Sequence, residues 1–220
     1  MFFEILVEDL SGEKMLQALL PKILSKEDTF KIHKYKGAGH IPKNLKSGLD
    51  ASKRVLLDQL PRLLSGIGKT HAGYGDTYEA VVIVIVDSDT KCPVTFKQEL
   101  VAILDTCAVK PNAFFCLAVE EGEAWLLGDI DAIKRAYPSA KEEILQGYVN
   151  DSICGTWELL ADALDSKGSA ALKKLPYSQI GAKKCEWAEK ITPYLDITKN
   201  KSPSFNYFYT KIKDISKIQS

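Results

Sequence analysis

AVVIVIVDSDTK, residues Ala80–Lys91, decides how this chain is read: seven consecutive Ala, Val and Ile residues end abruptly on Asp-Ser-Asp. A strand with one solvated face would carry polar side chains at alternate positions. This run carries none, so both of its faces are buried, as in the interior of a parallel sheet. Open parallel sheets place their ligand sites at the carboxyl ends of their strands. There this strand delivers Asp87 and Asp89, whose side chains an extended backbone would point the same way. Two like charges held side by side repel unless a cation lies between them.

Two further apolar runs end on acids. Phe2–Val7 (FFEILV) reads as a first strand and meets Glu8-Asp9; Phe114–Val119 (FFCLAV) reads as another and meets Glu120-Glu121-Gly122-Glu123. Three strand ends that supply Asp and Glu, without His or Cys, match the all-oxygen ligand preference of a hard divalent cation such as Mg²⁺. Helical periodicity fills the intervals. Glu13–Leu24 carries Met15, Leu16, Leu19 and Ile23, with Ser11 as the expected N-cap and Pro21 inside the pattern. Ala51–Leu64 carries Val55, Leu56, Leu60 and Leu63, interrupted by Pro61, and Thr95–Cys107 carries Phe96, Leu100, Ile103 and Leu104. A short strand is expected over Phe30–Tyr35. Alternating strands and helices predict an α/β fold, a mostly parallel sheet flanked by helices over residues 1–135. Residues 136–220 are mostly helical and are expected to cap that sheet as part of one unit.

Other features exclude more than they assert. Lys36–Lys43 is glycine-rich and basic and could cradle a phosphate, but it lacks the spacing of a nucleotide-triphosphate loop and reads better as surface loop. Gly66–Tyr78 is expected to be loop, and its His71 reads as a solvent-exposed spectator before it reads as a general acid or base. The chain has 29 basic and 29 acidic residues, so no global positive field marks it as a nucleic-acid binder; such binding would rest on a local patch or on bridging metal. Five scattered cysteines without a C-x-x-C pair read as free thiols in a reducing compartment. No apolar run approaches the roughly 20 residues that span a membrane, and the N-terminus does not read as a signal peptide, so a cytoplasmic protein is expected.

The pattern of Glu8 after the first strand and Asp87-Ser88-Asp89 after a later one resembles the Toprim domains of topoisomerases, primases and OLD-type nucleases. More specifically, ILVEDLSG, VDSDTK, EEGEAWLLGD and KSPSF, spread from end to end, are similar to the DUF4276 type of Toprim-like protein. The resemblance implies a Mg²⁺- or Mn²⁺-dependent phosphodiester hydrolysis of DNA or RNA, in a bacterial defence setting. Carried over residue by residue, it makes Glu8, Asp87, Asp89, Glu121 and Glu123 metal ligands and catalytic acids. It makes Lys184 the lysine that neutralises charge on the phosphate, with Lys183 and Lys201 as rivals, and leaves Glu13 one residue from the position of a second glutamate. Asp9 stands where such domains commonly have glycine. The resemblance also admits a non-catalytic subunit that docks on an ATPase, and a homodimer.

Overall fold

Burial from Val81 through Val86 is what the unbroken apolar run demands, and a central parallel strand meets the demand. In the computed structural model, which describes residues 1–42, 54–75, 79–153 and 155–217, this run forms β3 (Ala80–Asp87). It pairs in parallel with β1 (Phe2–Val7) on one side and with β4 (Ala113–Ala118) on the other. An edge strand, β2 (Thr29–Lys34), pairs in parallel with β1, giving the order β2-β1-β3-β4.

The two faces of β3 serve two cores. Val81, Ile83 and Ile85 join Phe3, Ile5 and Val7 against α1 (Leu10–Ile23); Val82, Val84 and Val86 join Leu6 and Phe115 against α2 (Leu56–Ala72) and α3 (Pro93–Asp105). The first core continues into the C-terminal helices without a break. These are α4 (Glu123–Leu127), α5 (Ile130–Ala136), α6 (Glu142–Gln146), α7 (Thr156–Leu164), α8 (Gly168–Leu172), α9 (Tyr177–Ile191) and α10 (Pro203–Lys217). Trp125, Trp187, Phe205 and Phe208 are buried in the same cluster as Phe3 and Ile83.

Helix α9 lies along α1 and runs in the same direction. Cys185 sits within reach of the Asp9 charge, Lys14 pairs with Glu189 at 2.9 Å, and Lys22 donates to the carbonyls of Thr192, Pro193 and Leu195 at 2.9, 2.7 and 3.1 Å. The ammonium of Lys22 thus caps the carbonyl end of α9, where the helix dipole favours a cation.

Some local expectations change. Asp9, not Ser11, caps α1: its Oδ1 accepts from Gly12 N at 2.8 Å, and Ser11 Oγ donates to Asp9 Oδ2 at 2.7 Å. Helix α2 runs on through residues 66–72, where loop was expected. The cause is packing: Ile67 rests on the core, and at Gly68 a Cβ would come 2.1 Å from the Val109 carbonyl, a close approach only glycine permits. His71 is therefore helical, and its side chain, 8% exposed, meets Glu4 Oε2 at 2.8 Å. The glycine-rich segment offers no phosphate cradle: Gly37 N donates to Glu8 O at 3.0 Å and His40 N to Asp58 Oδ1 at 2.8 Å. Lys43, the start of the helix expected from Ala51, and Cys154 lie outside the described residues. Among the described cysteines, Cys92, Cys107, Cys116 and Cys185 are free.

The EAWLLGD and KSPSF segments hold each other. Asn200 Nδ2 donates to Trp125 O at 2.8 Å while Asn200 Oδ1 accepts from Ser202 N at 2.9 Å; Trp125 Nε1 donates to Ser204 Oγ at 3.0 Å. Ser202 caps α10, its Oγ accepting from Phe205 N at 3.1 Å, with Pro203 at the first helical position. Gly128 is required beneath Asn200, because a Cβ there would lie 2.0 Å from Asn200 Oδ1. Replacing Asn200 by Ala removes both buried hydrogen bonds and leaves the Trp125 carbonyl without its Asn200 donor. The expected cost is about 1–3 kcal/mol, read as a lower urea midpoint with an unchanged m-value.

Candidate functional site

In the order β2-β1-β3-β4 the chain leaves β1 toward one side for β2 and toward the other for β3 and β4. The crevice at the carboxyl ends of β1 and β3 is therefore the topological switch point, the place where open α/β sheets bind ligands. Glu8 follows β1, Asp87 ends β3, and Glu121 and Glu123 follow β4.

A web of backbone bonds sets these acids in place. Glu8 Oε2 accepts from Asp87 N at 3.1 Å, joining β1 to β3 beyond the ladder. Ser88 is fully buried: its N–H donates to Ala118 O at 2.9 Å and its Oγ accepts from Glu120 N at 2.9 Å. Asp89 N donates to Glu120 O at 2.9 Å. Both members of that last pair are left-handed, with φ of 48° at Asp89 and 62° at Glu120. A left-handed non-glycine costs on the order of 1 kcal/mol or more and persists where the surroundings hold it. Glu120 itself is structural, for its carboxylate accepts from Gly155 N at 2.7 Å and Thr156 N at 2.8 Å at the start of α7.

The strand stops at Asp87, so the alternation expected to align Asp87 with Asp89 ends there. Left-handed Asp89 is exposed; its charge still raises the pKa of Glu8.

From the other side α9 brings Lys184, with only 14% of its side chain exposed. Its Nζ lies 3.0 Å from Glu123 Oε2 and 3.6 Å from Glu121 Oε2. Burial opposes this ammonium, but the charges of Glu123, Asp87 and Glu121 together outweigh burial and hold its pKa well above the usual lysine range. The carboxyls respond the opposite way. Burial pushes Glu8 up to about 6, with Asp9 and Asp89 adding to the shift. Burial pushes Glu121 up to about 7 despite Lys184, aided by Glu123 and Glu158. Burial and then the Glu8 charge drive Asp87 well above the aspartate range.

Glu121, Glu123 and Asp87 thus surround one ammonium, with Glu8 beside Asp87, and Glu121 Oε2 and Glu123 Oε2 are buried without a well-directed hydrogen bond. Beside Glu8, Asp87 and Gly122 lies a cavity of about 30 Å³, room for one water or one ion. The oxygen donors suit a hard cation. Among the described residues, however, no three His, Cys, Asp or Glu side chains stand together at metal-ligand spacing. As arranged, Lys184 supplies the positive charge.

The remaining candidates stand apart. Glu13 pairs with Lys34 at 2.8 Å, Lys183 pairs with Glu186 at 2.8 Å, and Lys201 lines a separate cavity of about 410 Å³ beside Asp129 and Arg135. Sequence reasoning missed Glu158, whose charge reaches Glu121 and which pairs with Lys173 at 3.1 Å. It also missed Glu4, which pairs through its two carboxylate oxygens with His33 at 3.1 Å and His71 at 2.8 Å. Neither had a strand end or a motif to mark it.

Because the folded chain holds the Glu121 proton more tightly than the unfolded chain does, stability falls as pH rises from 4.5 toward about 7. Glu121→Gln removes that loss. In metal-free buffer the variant is expected to gain up to about 3 kcal/mol at pH 8 and nothing at pH 4, measured by denaturant unfolding at both pH values.

No curated protein and no solved structure matches the chain significantly. A family model does, across residues 7–213, which takes in every acid of the site together with Lys184 and the Asn200–Ser204 clamp. The chain belongs to that family, a domain of unknown function, DUF4276.

Proposed function

We propose that the protein is a divalent-metal-dependent phosphodiesterase acting on nucleic acid, of Toprim-like type. One observation carries this reading: Glu8, Asp87, Glu121 and Glu123 converge with Lys184 at the switch point of a parallel sheet. Carboxylates raised in pKa by burial and by one another are poised to exchange protons for a cation.

Glu8 and Asp87, beside the small cavity, would hold Mg²⁺ or Mn²⁺ with Glu121 or Glu123, and Asp89 would face the incoming substrate from the rim. When bound, the ion supplies Lewis acidity to the phosphate and acidifies a water. The chain's own groups do the rest. A carboxyl that titrates near neutrality, as Glu121 does, can accept the proton of the attacking water. Lys184, freed from part of its ion pairing, is placed to meet charge growing on the phosphate oxygens. Free cysteines suit a reducing cytoplasm, and no helix among the described residues is long and apolar enough to cross a membrane.

The same geometry favours a second reading. Lys184 already occupies the acid cluster and no ligand trio is assembled among the described residues, so the site would become competent when a partner, such as an ATPase, repositions α9.

Plasmid, single-stranded DNA and tRNA incubated in Mg²⁺ or Mn²⁺ separate these readings. Cleavage by the wild type, reduced at least about 100-fold in Asp87→Asn, is the expected result. Equal cleavage by both proteins would remove Asp87 from the chemistry, and absence of cleavage by either would leave the partner-dependent site.

A further inference from the structure

Helix α9 extends past the sheet it packs on. Cys185 lies at the level of Asp9, the cap of α1, and α9 begins two turns earlier, at Tyr177. The first turns of α9 therefore stand about 10 Å beyond Lys184, on the carboxyl side of the sheet, as a wall beside the acid cluster. Residues 173–179 are exposed without exception, which is unusual for the start of a helix that otherwise buries Trp187, Ala188 and Ile191.

What this wall displays is specific. Tyr177, Gly181 and Lys184 fall on one stripe of the helix. Tyr177 is 93% exposed, so packing within the molecule does not account for the aromatic ring. A glycine inside a helix is unfavourable relative to alanine, and a Cβ at Gly181 would meet nothing within 4 Å, so packing does not account for that residue either. A bare backbone patch of this kind is where another molecule can approach closely. The charge is local too. Residues 165–184 hold five lysines and one aspartate in a chain whose 29 basic and 29 acidic residues balance as a whole. Glu158 and Glu186 take up part of this charge by pairing with Lys173 and Lys183, whereas Lys174 is exposed and has no ion pair among the described residues.

We infer that the overhanging start of α9 is a docking wall for a single-stranded polynucleotide: a base stacks on Tyr177, the sugar–phosphate chain crosses Gly181, and Lys173 and Lys174 follow the backbone toward Lys184. An exposed ring stacks on any unpaired base and finds no face to stack on inside a duplex, which selects single strands. In the bound state a phosphate would take the place of Glu158 as the partner of Lys173. The direction of the strand rests on the phosphodiesterase reading of the acid cluster; the binding itself does not.

Fluorescence anisotropy with labelled single-stranded DNA, single-stranded RNA and the matching duplex, in buffer containing EDTA, tests the wall apart from any cleavage. Single strands are expected to bind more tightly than duplex. Tyr177→Ala is expected to weaken single-strand binding about tenfold. Lys173→Gln with Lys174→Gln is expected to flatten the salt dependence, its logarithmic slope falling by roughly 0.7 for each phosphate that the lysines had neutralised. Gly181→Leu is the discriminating variant, because a merely structural glycine would show itself in stability. It is expected to keep or raise the melting temperature and to weaken binding as much as Tyr177→Ala. Unchanged single-strand affinity in both Tyr177→Ala and Gly181→Leu, or duplex bound as tightly as single strands, would overturn the inference. An inactive protein that still binds single strands through Tyr177 would leave the wall standing and refute only the cleavage reading.

Discussion

The arrangement of one ammonium among three carboxylates, with a fourth at Glu8 beside Asp87, constrains most of what surrounds it. Lys184 is buried against Glu121, Glu123 and Asp87, and a buried charge persists only when its partners are close and fixed. One positive charge does not neutralise Glu8, Asp87, Glu121 and Glu123, so the surplus appears as protons held near neutrality on Glu8 and Glu121. A site in that condition carries less negative charge near neutral pH than its four carboxyl groups would in water. Hydrophobic side chains at these positions would have been more favourable for folding, since burying ion pairs seldom stabilises. The cluster is therefore not there for what it adds to stability.

Its geometry comes from strand ends rather than from a loop that could relax. Ser88 fastens the end of β3 to the turn after β4 through its backbone and its hydroxyl, and the left-handed pair Asp89 and Glu120 is locked by a bond between them. Glu120 then ties that turn to α7. The strain of two left-handed residues is opposed by this set of hydrogen bonds, together with the one from Asp87 N to Glu8. This is how a carboxylate pushed well up in pKa is kept from turning away into solvent.

How far the sequence foretold this varies with the kind of signal. The run Ala80–Val86 had to be a doubly buried strand, and Phe2–Val7 and Phe114–Val119 followed on the same logic; all lie where expected to within a residue. The gathering of Glu8, Asp87, Glu121 and Glu123 follows from parallel strands being adjacent, which alternation of strand and helix implies. Asp89 was misplaced because alternation was extended one step past the end of the strand. His71 was misplaced because Gly66 and Gly68 read as breakers, while the close approach to Val109 that requires Gly68 is a long-range fact. The helix that apolar periodicity marks over Lys183–Ile191 starts earlier, at Tyr177, for a related reason. Apolar periodicity reports the buried part of a helix, and residues 177–181 bury almost nothing.

The segment most distinctive in sequence divides in two when seen in space. Glu121 and Glu123 face the cluster, whereas Gly128 and Asp129 hold the C-terminal region, and Trp125 does both, lining the small cavity beside Glu8 and Asp87 while bonding to Ser204. Helix α4, with five residues, is far too short to form by itself. It exists because Trp125 stacks on Phe208 at 4.8 Å, because Asn200 grips its backbone, and because Asp129 accepts from Ala132 N at 3.0 Å and Asp196 N at 2.8 Å. Glu123 opens α4, so its carboxylate is aimed by contacts that lie beyond residue 190 in the chain. Lys184 comes from the C-terminal helices too, on α9. The sheet supplies Glu8 and Asp87, the C-terminal helices supply the aim of Glu123 and the opposing charge, and neither half holds the site alone.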